Sequence, residues 1–71
     1  MQSCSDYCKQ LVKTAKNEAR TNGIPIGKDI EVLAYSHQEY CVYIGDLYNE
    51  QSSCCESGAV AAAIHEIIDE M

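Results

Sequence analysis

A chain of 71 residues with a formal charge of −6 is the size of one small domain, and its 46% apolar content is that of a globular protein. No apolar run approaches the roughly 20 residues that a bilayer-crossing helix needs. The start, MQSCSDYCKQ, has no basic segment leading into an apolar one, so no secretory signal is read and a cytoplasmic location is expected.

Taken in order, the pattern predicts a single α+β domain over 1–71, ordered α-β-β-α. Ser3 and Ser5 are suitable N-caps for a first helix over about 4–22. Cys4, Cys8, Leu11, Val12, Ala15 and Ala19 recur at the spacing of one helical face. Asn22-Gly23 ends the helix, because either residue tolerates the left-handed conformation. IPIGKD, with Pro25 and Gly27, is a connector. DIEVLAY and EYCVYIGD then alternate and contain β-formers, so a two-stranded antiparallel hairpin is expected over about 29–46, turning at SHQ. LYNEQSS reads as a loop, or as a short extra strand at Leu47-Tyr48. Ser53-x-x-Glu56 is a capping box that opens a second helix over about 54–70. Val60, Ile64, Ile67, Ile68 and Met71 give that helix one apolar face, and AVAAAI favours helix by propensity.

Pleating puts Ile30, Val32, Ala34, Tyr40, Val42 and Ile44 on one hairpin face, where both helices are expected to pack. The other face then carries Glu31, Leu33, Tyr35, Cys41 and Tyr43, which is unusually apolar for a solvated surface. A two-stranded sheet is marginal alone and has two unpaired edges. A partner or a homodimer is therefore expected, with self-association through Leu33, Tyr35 and Tyr43. The alternative is that a third strand or a loop covers this face internally.

Charge divides the chain. Residues 1–28 hold five cations against Asp6 and Glu18, whereas residues 29–71 hold nine acids and no lysine or arginine. Lys9, Lys13, Lys16 and Arg20 fall in a narrow arc of the first helix, beside its apolar stripe. That strip is a solvated face that balances Glu66 and Glu70, or a phosphate-contacting surface for a nucleic-acid backbone. Alternatively it is incidental, and the acidic two-thirds is the working surface, able to occupy a cationic groove meant for DNA or RNA.

Little in the sequence points to catalysis. HEIID has the first half of the zinc-protease pattern H-E-x-x-H, with Asp69 in place of the second histidine. There is no glycine-rich phosphate loop and no Ser-His-Asp set. Five cysteines are an odd number and include no C-x2-C pair, so reduced thiols are expected and no cofactor or metal is assigned. Cys4 and Cys8 share a helix face and fit as small core residues. As a second alternative they could give two zinc ligands, with Cys54 or Cys55 and His37 or His65 completing a site.

The length, the acidic segment from Asp29 to Glu70 and the α-β-β-α order resemble small acidic phage-encoded anti-CRISPR proteins. That resemblance implies an inhibitor in the host cytoplasm that mimics nucleic acid on a CRISPR effector. No functional residue is carried over from it. The expected function is non-enzymatic binding of a basic, nucleic-acid-binding protein, with no membrane partner. Glu39, Asp46, Glu50, Glu66, Asp69 and Glu70 are the candidate contacts, and Tyr35 and Tyr43 the apolar anchors.

Overall fold

The computed structural model describes residues 4–24, 26 and 30–70. Helix α1 (Cys4–Thr21) is followed by strands β1 (Ile30–Ser36), β2 (Glu39–Ile44) and β3 (Leu47–Ser52), and by helix α2 (Glu56–Asp69). The class is α+β, but the order is α-β-β-β-α. The expected two-stranded hairpin is the first part of a three-stranded antiparallel sheet, ordered β1-β2-β3. LYNEQSS is thus not a loop: the extra strand that begins at Leu47-Tyr48 is present, and it runs on to Ser52. Gly45-Asp46 makes a two-residue turn, Gly45 taking φ 61, and it sets Leu47 opposite Ile44 and Ser52 opposite Glu39. The residues of β3 have weak strand propensity, but pairing along β2 overrides it. On the helix side, Gln51 hydrogen-bonds both Asn49 and Glu66 of α2, which satisfies polar groups that a strand in that position would otherwise leave open.

The helix ends follow local chemistry. Gly23 sits at φ 78, with Ile24 N–H donating to the Ala19 carbonyl at 2.9 Å and Gly23 N–H to the Arg20 carbonyl at 3.0 Å. This pair of bonds is the Schellman motif, so Asn22-Gly23 ends α1 as expected. Ser5 lies inside α1 and is not its cap. The capping box at Ser53 does not form either. The N-cap of α2 is Cys55, without a side-chain cap bond, and Ser53 Oγ accepts from Cys55 N–H at 3.5 Å. The expected Ser3 cap, the Pro25, Gly27 and Asp29 part of the connector, and the Met71 end of the apolar face lie outside the described residues.

Packing runs sheet, α2, α1. α2 lies across all three strands and along α1, and among the described residues the α1 backbone approaches no strand closely. The expectation that both helices cover the hairpin is corrected accordingly. A helix covered on two sides must be apolar around most of its circumference, and the run AVAAAI in α2 is. Ala59, Ala63 and Ile64 of α2 are fully buried, as are Ala15 and Ala19 of α1 and Val42 at the sheet centre. The small alanines let the two helices approach, and Leu11, Val12, Ile30, Val32, Tyr40, Ile67 and Ile68 close the core around them. Ala34, expected inside, is exposed where the β1 register shifts between Ala34 and Ser36.

The helices run parallel. Cys8 near the start of α1 faces Cys54 before α2, and Glu18 towards the end of α1 meets His65 Nε2 of α2 at 3.4 Å. Both N-termini therefore emerge at one end of the molecule. No described helix is long and apolar enough to cross a membrane.

Candidate functional site

The sheet face turned away from α2 is open. Register places Leu33, Cys41 and Glu50 in one row across it, and Glu31, Tyr43 and Tyr48 in the next. Leu33 is 56% exposed, Tyr35 55% and Tyr48 51%. Tyr43 and Tyr48 pack as tilted rings with centroids 5.2 Å apart. Tyr48 donates its hydroxyl hydrogen to Glu50 Oε1 at 2.6 Å, and Cys41 Sγ lies 3.4 Å from the same hydroxyl. The result is an apolar, aromatic strip with Glu31, Glu39 and Glu50 exposed at its border.

These contacts perturb the tyrosines in one direction. The hydrogen bonds to Cys41 and then Glu50 hold the Tyr48 hydroxyl far above the ordinary phenol range, because both are lost or repulsive once it is a phenolate. Tyr35 is also raised, first by loss of water and then by the charges of Glu50 and Glu39. Both side chains therefore stay neutral hydrogen-bond donors.

The eight residues expected to contact a partner fall in three places. Tyr35, Glu39, Tyr43 and Glu50 share the open sheet face. Asp46 is in the β2–β3 turn. Glu66, Asp69 and Glu70 belong to α2 and its end, and Glu66 is engaged by Gln51. Tyr48 belongs to the same face although it was not among the expected contacts, because its place there depends on β3 pairing along the whole of β2. Its signal was the Gly-Asp turn that continues the alternation of β2. The self-association set, Leu33, Tyr35 and Tyr43, does share one surface.

The basic strip is on a flank of α1, the layer that α2 separates from the sheet. Lys9, Lys13 and Arg20 are exposed and Lys16 is half-buried. Arg20 donates to Asn17 Oδ1 at 3.2 Å within its own helix. Among the described residues the ion pair between the helices is His65 with Glu18, not a lysine or arginine with Glu66 or Glu70. Both groups are about half exposed, so a protonated His65 pairs there for roughly 0–1 kcal/mol.

A second constellation forms where the two helix N-termini meet. The sulfurs of Cys4, Cys8, Cys54 and Cys55 all lie within 4.8 Å of one another. Cys4 and Cys8 stand one turn apart on α1, with Sγ atoms 3.9 Å apart, and Cys8 Sγ is 3.7 Å from Cys54 Sγ. Cys4 and Cys54 are joined as a disulfide across 50 residues, with Cα atoms 7.0 Å apart. The expectation of five reduced thiols is corrected here: Cys8, Cys41 and Cys55 are the free ones. Cys8 is buried, and its thiol is raised from 9.0 chiefly by a hydrogen bond with Cys55, then by burial; the Gly58 backbone amide pulls the other way. The fourth donor is a cysteine and not a histidine. His65 lies ten residues beyond Cys55, about 15 Å along the helix, and His37 is in the β1–β2 turn. The chain matches no family model, no curated protein and no solved structure.

Proposed function

We propose that the protein is a non-enzymatic binding module whose open sheet face docks on the basic surface of a nucleic-acid-binding protein and blocks its groove. One observation carries this reading. Exposed Leu33, Tyr35 and Tyr48 and half-buried Tyr43 form an apolar strip on a backbone held by two strand pairings, and carboxylates border it. Tyrosines supply contact area at small entropic cost and are enriched at interfaces. Glu31, Glu39 and Glu50 supply the charge that a cationic groove selects. The cations of α1 belong to the layer that α2 separates from the sheet, so they do not border this face. A CRISPR effector is the kind of partner that the sequence resemblance implies. A second copy of the chain seated on the same face is the competing occupant.

The test uses three immobilised proteins: the wild type, a face variant (Leu33→Ser with Tyr35→Ser) and a strip variant (Lys9→Glu with Lys13→Glu). Each is exposed to nuclease-treated host lysate at low salt, then challenged with a duplex oligonucleotide. The expected result is that the wild type and the strip variant retain the same basic protein, that the oligonucleotide displaces it, and that the face variant retains none. Retention by the face variant overturns the reading. So does capture of nucleic acid that only the strip variant loses, or light scattering that shows a dimer which the face variant dissolves.

A further inference from the structure

Four of the five cysteines converge on one point from two distant parts of the chain, although nothing in the sheet face requires them. Burial of small apolar side chains does not explain the arrangement, because Cys4 and Cys54 are exposed and Cys55 is half-buried. A disulfide accounts for one pair and leaves Cys8 and Cys55 as free thiols at the same point. We infer that in the reduced chain Cys4, Cys8, Cys54 and Cys55 form a tetrahedral tetrathiolate site for a single divalent metal ion, zinc by preference.

The distances fit a single ion. Zinc–sulfur bonds of about 2.3 Å set the edges of an S4 tetrahedron at about 3.8 Å. Two of the observed edges are 3.9 Å and 3.7 Å. The Cys4–Cys54 edge is closed by the disulfide here and opens on reduction, and four sulfurs gathered within 4.8 Å of one another suit one metal and not a multi-iron cluster. Soft thiolates select zinc over calcium or magnesium, and a full set of four leaves no open position for substrate. The site is therefore structural.

The surroundings suit four thiolates around a dication, which together carry a net negative charge. Cys4 and Cys8 lie in the first turns of α1, and Cys54 and Cys55 immediately precede α2, so the positive ends of two helices face the sulfurs. Cys55 makes no side-chain cap bond to α2, which leaves its sulfur available as a ligand. The Gly58 backbone amide hydrogen-bonds Cys8, as outer-shell donors do around metal thiolates. Gly58 also leaves the space. A Cβ there would come within 3.1 Å of Cys8 Sγ and would overlap Ser53 Oγ. Asp6 and Glu56 in the first turns act against this field, and the metal's own charge compensates.

The two states of Cys4 and Cys54 exclude each other. A dithiol reductant splits the disulfide, becoming a disulfide itself and leaving two thiols. The four thiols then give up their protons to buffer as they ligate. The metal ties the start of α1 to the start of α2 in the reduced chain, the same two segments that the disulfide ties in the oxidised one.

The experiment is cobalt titration of the full chain, reduced and kept anaerobic, followed by zinc competition. One cobalt per chain is expected, with the intense visible bands of tetrahedral tetrathiolate coordination, displaced by zinc. Cys55→Ser removes a ligand and should weaken cobalt binding by more than the about 10–100-fold that loss of an outer-shell partner costs, and Cys41→Ser should leave it unchanged. In the zinc-loaded wild type, alkylation followed by mass spectrometry should modify Cys41 and spare the other four. That readout needs no variant to fold. The inference is overturned if reduced chain gives only the weak spectrum of oxygen-ligated cobalt, if zinc protects no cysteine, or if Cys41→Ser abolishes binding.

Discussion

Ile64 tests the packing order sheet–α2–α1 most directly. Its side chain is fully buried in the helix that lies between the strands and α1. Ile64→Ala removes the transfer energy of the lost carbons and leaves a cavity that only movement of both neighbours could fill. Such truncations cost about 2–5 kcal/mol, the upper end belonging to sites that cannot collapse. A helix held on two sides is such a site, so about 4 kcal/mol is expected. At roughly 0.05–0.15 kcal/mol per residue a chain of this length has about 4–11 kcal/mol in total. Ile64→Ala should therefore lose much or all of its cooperative urea transition by far-ultraviolet circular dichroism. Ile64→Val should keep it at a cost of about 1 kcal/mol. Leu33→Ala, on the open face, should shift stability by less than about 0.5 kcal/mol. If Ile64→Ala costs under about 1.5 kcal/mol, or no more than Leu33→Ala, α2 is not buried between two layers and the argument fails.

Reduction of Cys4–Cys54, in chelator, should lower unfolding stability by about 2–4 kcal/mol, because the bond closes a loop of 50 residues in the unfolded chain; an unchanged urea midpoint would show that the bond constrains nothing. Tyr48 should ionise last in an alkaline absorbance titration, and Cys41→Ala or Glu50→Gln should bring it down towards 10.0. The Tyr48 contribution to stability is complete below pH 10.0 and is lost as pH rises beyond it, so stability should fall more steeply above pH 10.0 in wild type than in Glu50→Gln. Gln38 occupies the left-handed region at φ 62, where glycine meets no steric cost. Gln38→Gly should raise stability by about 0.5–1 kcal/mol, and a loss would mean that the side chain holds the turn.

Periodicity alone was sufficient for the two helices, the first two strands and, apart from Cys4 and Ala34, one buried face of each. Those signals are local: the period of 3.6 in α1, the alternation through DIEVLAY and EYCVYIGD, and the Asn22-Gly23 stop, whose Schellman bonds arise within six residues. The charge division into a basic first helix and an acidic remainder is likewise present in the sequence. The open apolar face was legible too, since alternation assigns Leu33, Tyr35 and Tyr43 to one side whatever covers the other.

Tertiary structure decided the rest. β3 exists because β2 offers an unpaired edge and a Gly-Asp turn returns the chain to it; LYNEQS has no hydrophobic period of its own. The alanine run of α2 is compatible with one covered side or two, and only the position of α1 shows that it is two. Four cysteines meet because α1 and α2 lie parallel with their N-termini at the same end. Helix phase puts Cys4 and Cys8 on one face, but the approach of Cys54 and Cys55 depends on the path of three intervening strands. Local pattern determines which side of each element is apolar, because that is a property of backbone period. Which elements then face each other is settled by burial of those sides across the whole chain.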